Sequence, residues 1–210
     1  MTPLHSILDH LVYATPDVAA SIEELEQLFG VRAAIGGRHP GWGTKNALLA
    51  LGPKAYLEIL GPDPDRPEPR QPRLLGIDTI SQPGLVSWVA RTDDIASVID
   101  KAKGQGLDLG DLLEKSRKQP DGSVLKWTMT DPMKNRKDGI IPYFINWGDA
   151  AHPAETAPAG CSLIKLEVFH PDAARVNELL RHLGIDLLAG HGPVALKATI
   201  ASPKGQIVLE

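Results

Sequence analysis

Apolar positions along the chain follow a strand-like run and then a helical period, and this alternation occurs three times. In residues 8–30 (LDHLVYATPDVAASIEELEQLFG) an apolar run gives way to Val18, Ile22, Leu25 and Phe29. Residues 85–107 (LVSWVARTDDIASVIDKAKGQGL) repeat the scheme with Ile95, Val98, Ile99 and Ala102, and residues 163–185 (LIKLEVFHPDAARVNELLRHLGI) with Val176, Leu179, Leu180 and Leu183. Side chains three and four apart share one face of a helix, so each predicted helix has one buried stripe and one wet face. The first two segments superpose without a gap, Leu8 falling on Leu85 and His10 on Ser87.

Thr15, Thr92 and His170 stand where each strand turns into its helix. A threonine hydroxyl there is expected to cap the first-turn amides, with Pro16 and Pro171 following where a missing N–H costs least. Shorter strand-like pieces come after each helix. In the first unit they cover 31–35, 46–51 and 55–60, the last two joined at Gly52-Pro53-Lys54. The second has 107–117 and 123–129 around the hairpin signal Pro120-Asp121-Gly122, then 140–147. The third has 187–189, 194–201 and 206–210 around Ser202-Pro203-Lys204-Gly205. The pattern predicts an α+β protein of repeated βαβββ units: 1–60, 84–148 and a βαβββ-like unit over 161–210. The stretches 61–83, carrying GPDPDRPEPRQPR, and 148–160 read as surface connections rather than core, the first long enough for a lid or strap.

Composition narrows the chemistry. The formal charge is -4, from 22 Lys+Arg against 26 Asp+Glu, with no basic stripe to bind phosphates, so nucleic acid is not an expected partner. Cys161 is the one cysteine, which leaves neither an internal disulfide nor a metal–thiolate cluster. It reads as a small buried residue. No run approaches the ~20 apolar residues of a membrane helix, and MTPLHSILDH has no basic leader, so a soluble cytoplasmic protein without membrane contact is expected. Gly-x-Ser-x-Gly does not occur, which argues against serine-hydrolase chemistry.

A duplicated βαβββ unit with a histidine in its first strand and a glutamate in its last resembles the vicinal oxygen chelate superfamily of glyoxalases, extradiol dioxygenases and bleomycin-resistance proteins. Within it, GGRHPGWGTKNALLALGPKAYLEIL and IPYFINWGDAAHP are similar to the glyoxalase-like domain proteins. The resemblance implies that two units curl into an open barrel around a divalent metal (Zn, Fe, Mn or Ni) held by the first and last strands of each unit. Carried onto this chain it implies His10, from LDHLVY, and Glu58, from YLEIL, as metal ligands and catalytic groups. Strand parity puts Leu8, His10 and Val12 on one face, and Tyr56, Glu58 and Leu60 on one face, so both polar groups sit among apolar ones. The second unit departs from the pattern: Ser87 takes the place of His10, and aligning Tyr143-Phe144-Ile145 with Tyr56-Leu57-Glu58 puts Ile145 in the place of Glu58. In the third unit Lys165 or Leu166 matches His10, and Val208 or Glu210 matches Glu58. The ligand set is therefore incomplete.

Around this pair the glycine-rich loop offers His39 as third ligand or general base, Arg38 as anion clamp and Asn46 as orienting donor, while Trp42 lies over the cavity or covers a core edge. Ser87, Arg117 as a carboxylate clamp, Trp147 as a pocket wall and His152 reaching toward His10 complete the substrate-binding candidates; Arg117 and His152 read equally as solvated. Two functions follow. One is a metal-assisted lyase, isomerase or dioxygenase acting on a small molecule with adjacent oxygens. The other is a non-catalytic binding module of the bleomycin-resistance type, in which His10 and Glu58 are a structural pair. An odd unit must either pack on the first two or pair across a two-fold axis into a homodimer.

Overall fold

The computed structural model describes residues 2–65, 71–118, 124–134 and 137–210. The chain opens with β1 (Thr2–Pro3), α1 (Leu4–Ile7), β2 (Leu8–Ala14), α2 (Val18–Phe29), β3 (Ala34–His39), β4 (Thr44–Gly52) and β5 (Ala55–Pro62). It continues with β6 (Gly84–Arg91), α3 (Ile95–Lys103), β7 (Leu113–Lys118), β8 (Val124–Met129) and β9 (Tyr143–Asn146). The C-terminal segment holds β10 (Ser162–His170), α4 (Ala173–His182), β11 (Ile185–Asp186), β12 (Ala189–His191), β13 (Ala195–Ser202) and β14 (Gly205–Leu209). The hairpin signal Pro120-Asp121-Gly122 lies outside the described residues. No helix is long and apolar enough to cross a membrane among the described residues.

One eight-stranded sheet, ordered β3-β4-β5-β2-β6-β9-β8-β7, forms an open barrel of the predicted α+β kind. Its halves meet at the antiparallel pair β2–β6. In each half the first strand runs parallel to the last, β2 with β5 and β6 with β9. The central register is reciprocal: His10 pairs with Val89, Leu11 with Trp88, and Val12 with Ser87. A local two-fold therefore passes through Leu11 and Trp88 and carries His10 onto Ser87.

That two-fold also relates two β-bulges. Leu8 pairs with Ala90 but His10 with Val89, so Asp9 is the inserted residue of β2. Val12 pairs with Ser87 but Tyr13 with Leu85, so Val86 is inserted in β6. An inserted residue interrupts the alternation of faces and re-aims its neighbours. Leu8 and Leu85 consequently pack under the helices, whereas Val12 and Val86 pack on the concave side. The parity reading is corrected at Leu8, which does not share a face with Val12.

The helix stripes meet in one core on the convex side. Phe29 of α2, Val98 and Ile99 of α3, and Leu179 and Leu180 of α4 join Leu166, Val168 and Leu196 of the C-terminal sheet there. Each such side chain contributes about 1.5–3 kcal/mol by leaving water. The C-terminal segment thus packs on the first two through a shared core. Its own sheet runs β12-β10-β13-β14, with the last strand at the edge instead of beside the first.

The helix caps differ from expectation. Asp17, Asp94 and Asp172 are the N-caps, accepting from the amides of Ala19 and Ala20, of Ser97, and of Arg175. Thr15, Thr92 and His170 act two residues earlier, where their side chains accept the cap residues' own N–H groups at 3.1, 3.2 and 2.8 Å. The chain needs those residues to turn from the sheet onto its convex face before the first helical amide is exposed. The connections differ too. Leu74 and Ile77, in a 3-10 turn over Leu74–Thr79, are buried on the concave side, and Ala154, in a second over Pro153–Glu155, is buried against Leu48 and Tyr56. Apolar residues inside these proline-rich stretches make them part of the core.

Candidate functional site

The concave face of the barrel encloses a recess of about 570 Å³, counting its open mouth. At its floor His10 on β2 and Glu58 on β5 stand diagonally, since His10 pairs with Tyr56 and Val12 with Glu58. His10 Nε2 lies 3.6 Å from Glu58 Oε2. Each group is fixed from behind. Asn46 Nδ2 donates to Glu58 Oε1 at 2.6 Å, and Asn46 Oδ1 accepts the Gly37 amide at 2.7 Å. A Cβ on Gly36 of β3 would fall 2.3 Å from that Oδ1, so the glycine there is what lets the backbone approach.

Behind His10 stands Asp9, brought there by the bulge. Its Oδ1 is 2.7 Å from His10 Nδ1. A carboxylate only accepts, so Nδ1 carries the proton and His10 turns Nε2 toward Glu58 and toward the Tyr143 hydroxyl at 3.4 Å. The ring stacks on Tyr56, with centroids 4.5 Å apart and planes 18° from parallel. Asp9 Oδ2 accepts from Trp147 Nε1 at 3.0 Å and lies 3.1 Å from His152 Nε2. His152 Nδ1 accepts the Ala154 amide, so its Nε2 is the protonated nitrogen. Burial alone would push the Asp9 carboxyl up. The hydrogen bonds and charge of His10 and His152 outweigh it and hold Asp9 well below the usual carboxylate range.

Of the residues expected from sequence, His10, Glu58, His39, Trp42, Asn46 and Trp147 line the recess. His39 Nδ1 is 3.0 Å from Thr44 Oγ1, and its ring meets Trp42 edge-on. His152 is buried and meets Asp9 rather than His10. Arg38 is not placed as an anion clamp: its guanidinium is taken by Asp63 at 2.9 and 3.0 Å and by Asp65 at 2.5 Å, because those carboxylates follow β5 beside it. Ser87 is buried on β6 and is not among the lining residues. Arg117 falls on β7, and its side chain lies outside the described residues. Glu210 pairs with Lys197 on the C-terminal sheet at 2.5 Å, so it is no ligand here. Lys165 pairs with Glu167.

The counterpart of Glu58 is also corrected. Val12 pairs with Glu58, and its two-fold mate Val89 pairs with Tyr143, so Tyr143 and not Ile145 holds that position. Asp9, Tyr56 and Tyr143 are site residues that sequence reasoning missed. An aspartate inside the apolar run LDHLVY was the available signal.

The expected metal finds an incomplete donor set. Catalytic zinc sites keep about three protein ligands. Among the described residues no group of three or more His, Cys, Asp and Glu is placed to hold an ion. The second half offers Val86, Ser87 and Tyr143 where the first has Asp9, His10 and Glu58. A resident metal does not fit this set.

A doubled βαβββ sheet curled around a buried His–Glu pair defines a protein of the vicinal oxygen chelate class. The glyoxalase-like domain family model matches residues 8–184, and the chain belongs to that family. Among solved structures, a hypothetical protein from Staphylococcus aureus is similar over 96% of this chain and 83% of its own, at 14% identity and a TM-score of 0.61. Methylmalonyl-CoA epimerase from Mycobacterium tuberculosis is 21% identical, over 69% of this chain and 89% of its own, with a TM-score of 0.44. No curated protein matches the chain.

Proposed function

We propose that the chain is a small-molecule enzyme in which His10 and Glu58 move a proton on a substrate that carries adjacent oxygens. The reading rests on the 3.6 Å approach of His10 Nε2 to Glu58 Oε2 at the floor of the recess. That approach lets the carboxylate and the imidazole face one substrate molecule together. Glu58 takes a proton from the substrate carbon beside a carbonyl, the Tyr143 hydroxyl donates to the oxyanion that forms, and His10 Nε2 stands beside both to relay the proton. Apolar walls strengthen these contacts by excluding water. Isomerase and lyase reactions share such a step; dioxygenase chemistry draws on a cofactor for oxygen, and the donor set does not complete a metal site to supply it.

The test is hydrogen–deuterium exchange, followed by NMR, into a panel of α-hydroxy and α-keto carbonyl compounds in heavy water. Wild type is expected to accelerate exchange in at least one compound, and Glu58→Gln or His10→Ala to slow it about 100-fold or more. Compounds that bind the recess without any exchange would leave the second reading, a sequestering module without catalysis. The presence of Val86, Ser87 and Tyr143 in the second half where the first has Asp9, His10 and Glu58 favours that alternative.

A further inference from the structure

The recess has an uneven charge character. Trp42, Trp127, Trp147, Tyr56 and Tyr143 line it, and Glu58 is the carboxylate among them. Among the described residues, no lysine or arginine lines it. Glu58 is 8% exposed and takes its hydrogen bond from the neutral amide of Asn46; among the described residues no lysine or arginine neutralises it, and the imidazole 3.6 Å away, His10, gives its Nδ1 proton to Asp9. Aromatic faces are the negative ends of a quadrupole and attract ammonium groups, best when water is excluded. Trp127 and Trp147 are arranged for this: their centroids are 5.5 Å apart and their planes 46° from parallel, two walls of a corner instead of a closed stack. One ring of the set already carries a cation of the chain itself, since Lys115 Nζ lies over Trp42, 4.9 Å from its centroid.

We infer that the recess receives a small organic cation, an ammonium group borne on a compact body. This rests on reading the recess as the small-molecule site and names the class of molecule it takes. An anionic guest would bring its charge beside Glu58 and onto ring faces, with no Lys or Arg among the described lining residues to offset the loss of hydration. A neutral guest would gain the apolar walls and leave the carboxylate unused. A cation gains both, with its charge toward Glu58 and its body against the indoles. Lys115, outside the lining, stands over Trp42 as a like charge and weakens that attraction.

Three probes of one shape and different charge test the class: choline, its carbon isostere neohexanol, and the anionic isostere tert-butylacetate, titrated by tryptophan fluorescence and calorimetry. Choline is expected to bind about tenfold tighter than neohexanol, and tert-butylacetate more weakly than either. Glu58→Gln, which keeps the shape and the acceptor for Asn46, should bring choline down to the level of neohexanol without moving neohexanol. Lys115→Met should strengthen choline a few-fold, again without moving neohexanol, and it carries the test should the Gln variant fail to fold. Neohexanol or tert-butylacetate binding as tightly as choline overturns the inference and leaves the recess a small-molecule site. Failure of all three to bind overturns the inference and counts against the recess as a binding site altogether.

Discussion

The two halves of the barrel have the same backbone and different chemistry. Both central strands carry a bulge at equivalent positions, which aims Asp9 and His10 into one half and Val86 and Ser87 into the other. Opposite them stand Glu58 in the first half and Tyr143 in the second. The bulge is therefore a property of the repeated unit, and the carboxylates and the imidazole have been placed on one copy only. Tyr143 nevertheless reaches His10 across the two-fold, so the second half closes and orients the site of the first.

Asp9 is where the comparison can be broken most severely. Its carboxylate is fully buried and joins His10, His152 and Trp147. Asp9→Ala leaves those donors without an acceptor and is expected to cost about 3–5 kcal/mol in urea unfolding. Val86→Ala, at the matching bulge, removes only apolar contacts and should cost about 1–2 kcal/mol. Equal losses would mean that the bulge, not the charge, carries the stability.

The same carboxylate sets an acid limit. Its folded pKa lies well below the ordinary carboxylate value of 3.8, so protons bind more readily to the unfolded chain as pH falls. Its contribution is complete above that value and is lost as pH drops through about 4 and below. The urea midpoint should fall from pH 5 to pH 3 more steeply in wild type than in Asp9→Asn. A parallel decline in both proteins would place the acid sensitivity elsewhere.

A gain-of-function variant sharpens the comparison from the other side. Ser87→His with Tyr143→Glu copies the His10–Glu58 pair across the two-fold. With four donors in place, zinc affinity by calorimetry should rise about 100-fold over wild type, roughly 2.7 kcal/mol. No gain would show that the register equivalence does not extend to the side chains.

What could be read from the sequence follows from which features are periodic. The three helical stripes and the barrel rest on spacing, and spacing survives in one dimension. The His10–Glu58 pair was legible through family resemblance and the polarity of two residues in apolar runs. Asp9 was not, because parity assumes an unbroken strand and a bulge leaves no compositional mark. Tyr143 was displaced by two residues because Tyr143-Phe144 looks like Tyr56-Leu57, whereas pairing is set by the register with β6. Leu74 and Ile77 were hidden by the proline-rich stretch beside them. The strand order of the C-terminal sheet depends on long-range pairing that no local pattern encodes.

The smallest expected difference between the halves lies at their helix starts. Asp17 accepts from two first-turn amides, Ala19 at 2.8 Å and Ala20 at 3.2 Å. Asp94 accepts from Ser97 alone, at 2.9 Å. Orphan amides at a helix start are worth about 0.5–2 kcal/mol per cap residue. Asp17→Ala should therefore cost about 1 kcal/mol and Asp94→Ala about half as much, both by urea unfolding. Asp17 also follows the buried Thr15–Ser21 hydroxyl pair at 2.8 Å, which ties the start of α2 to β2. If Asp94→Ala proves the more damaging, the second helix depends on its cap because it lacks that tie, and the first half is then the better anchored at its edge as well as at its centre.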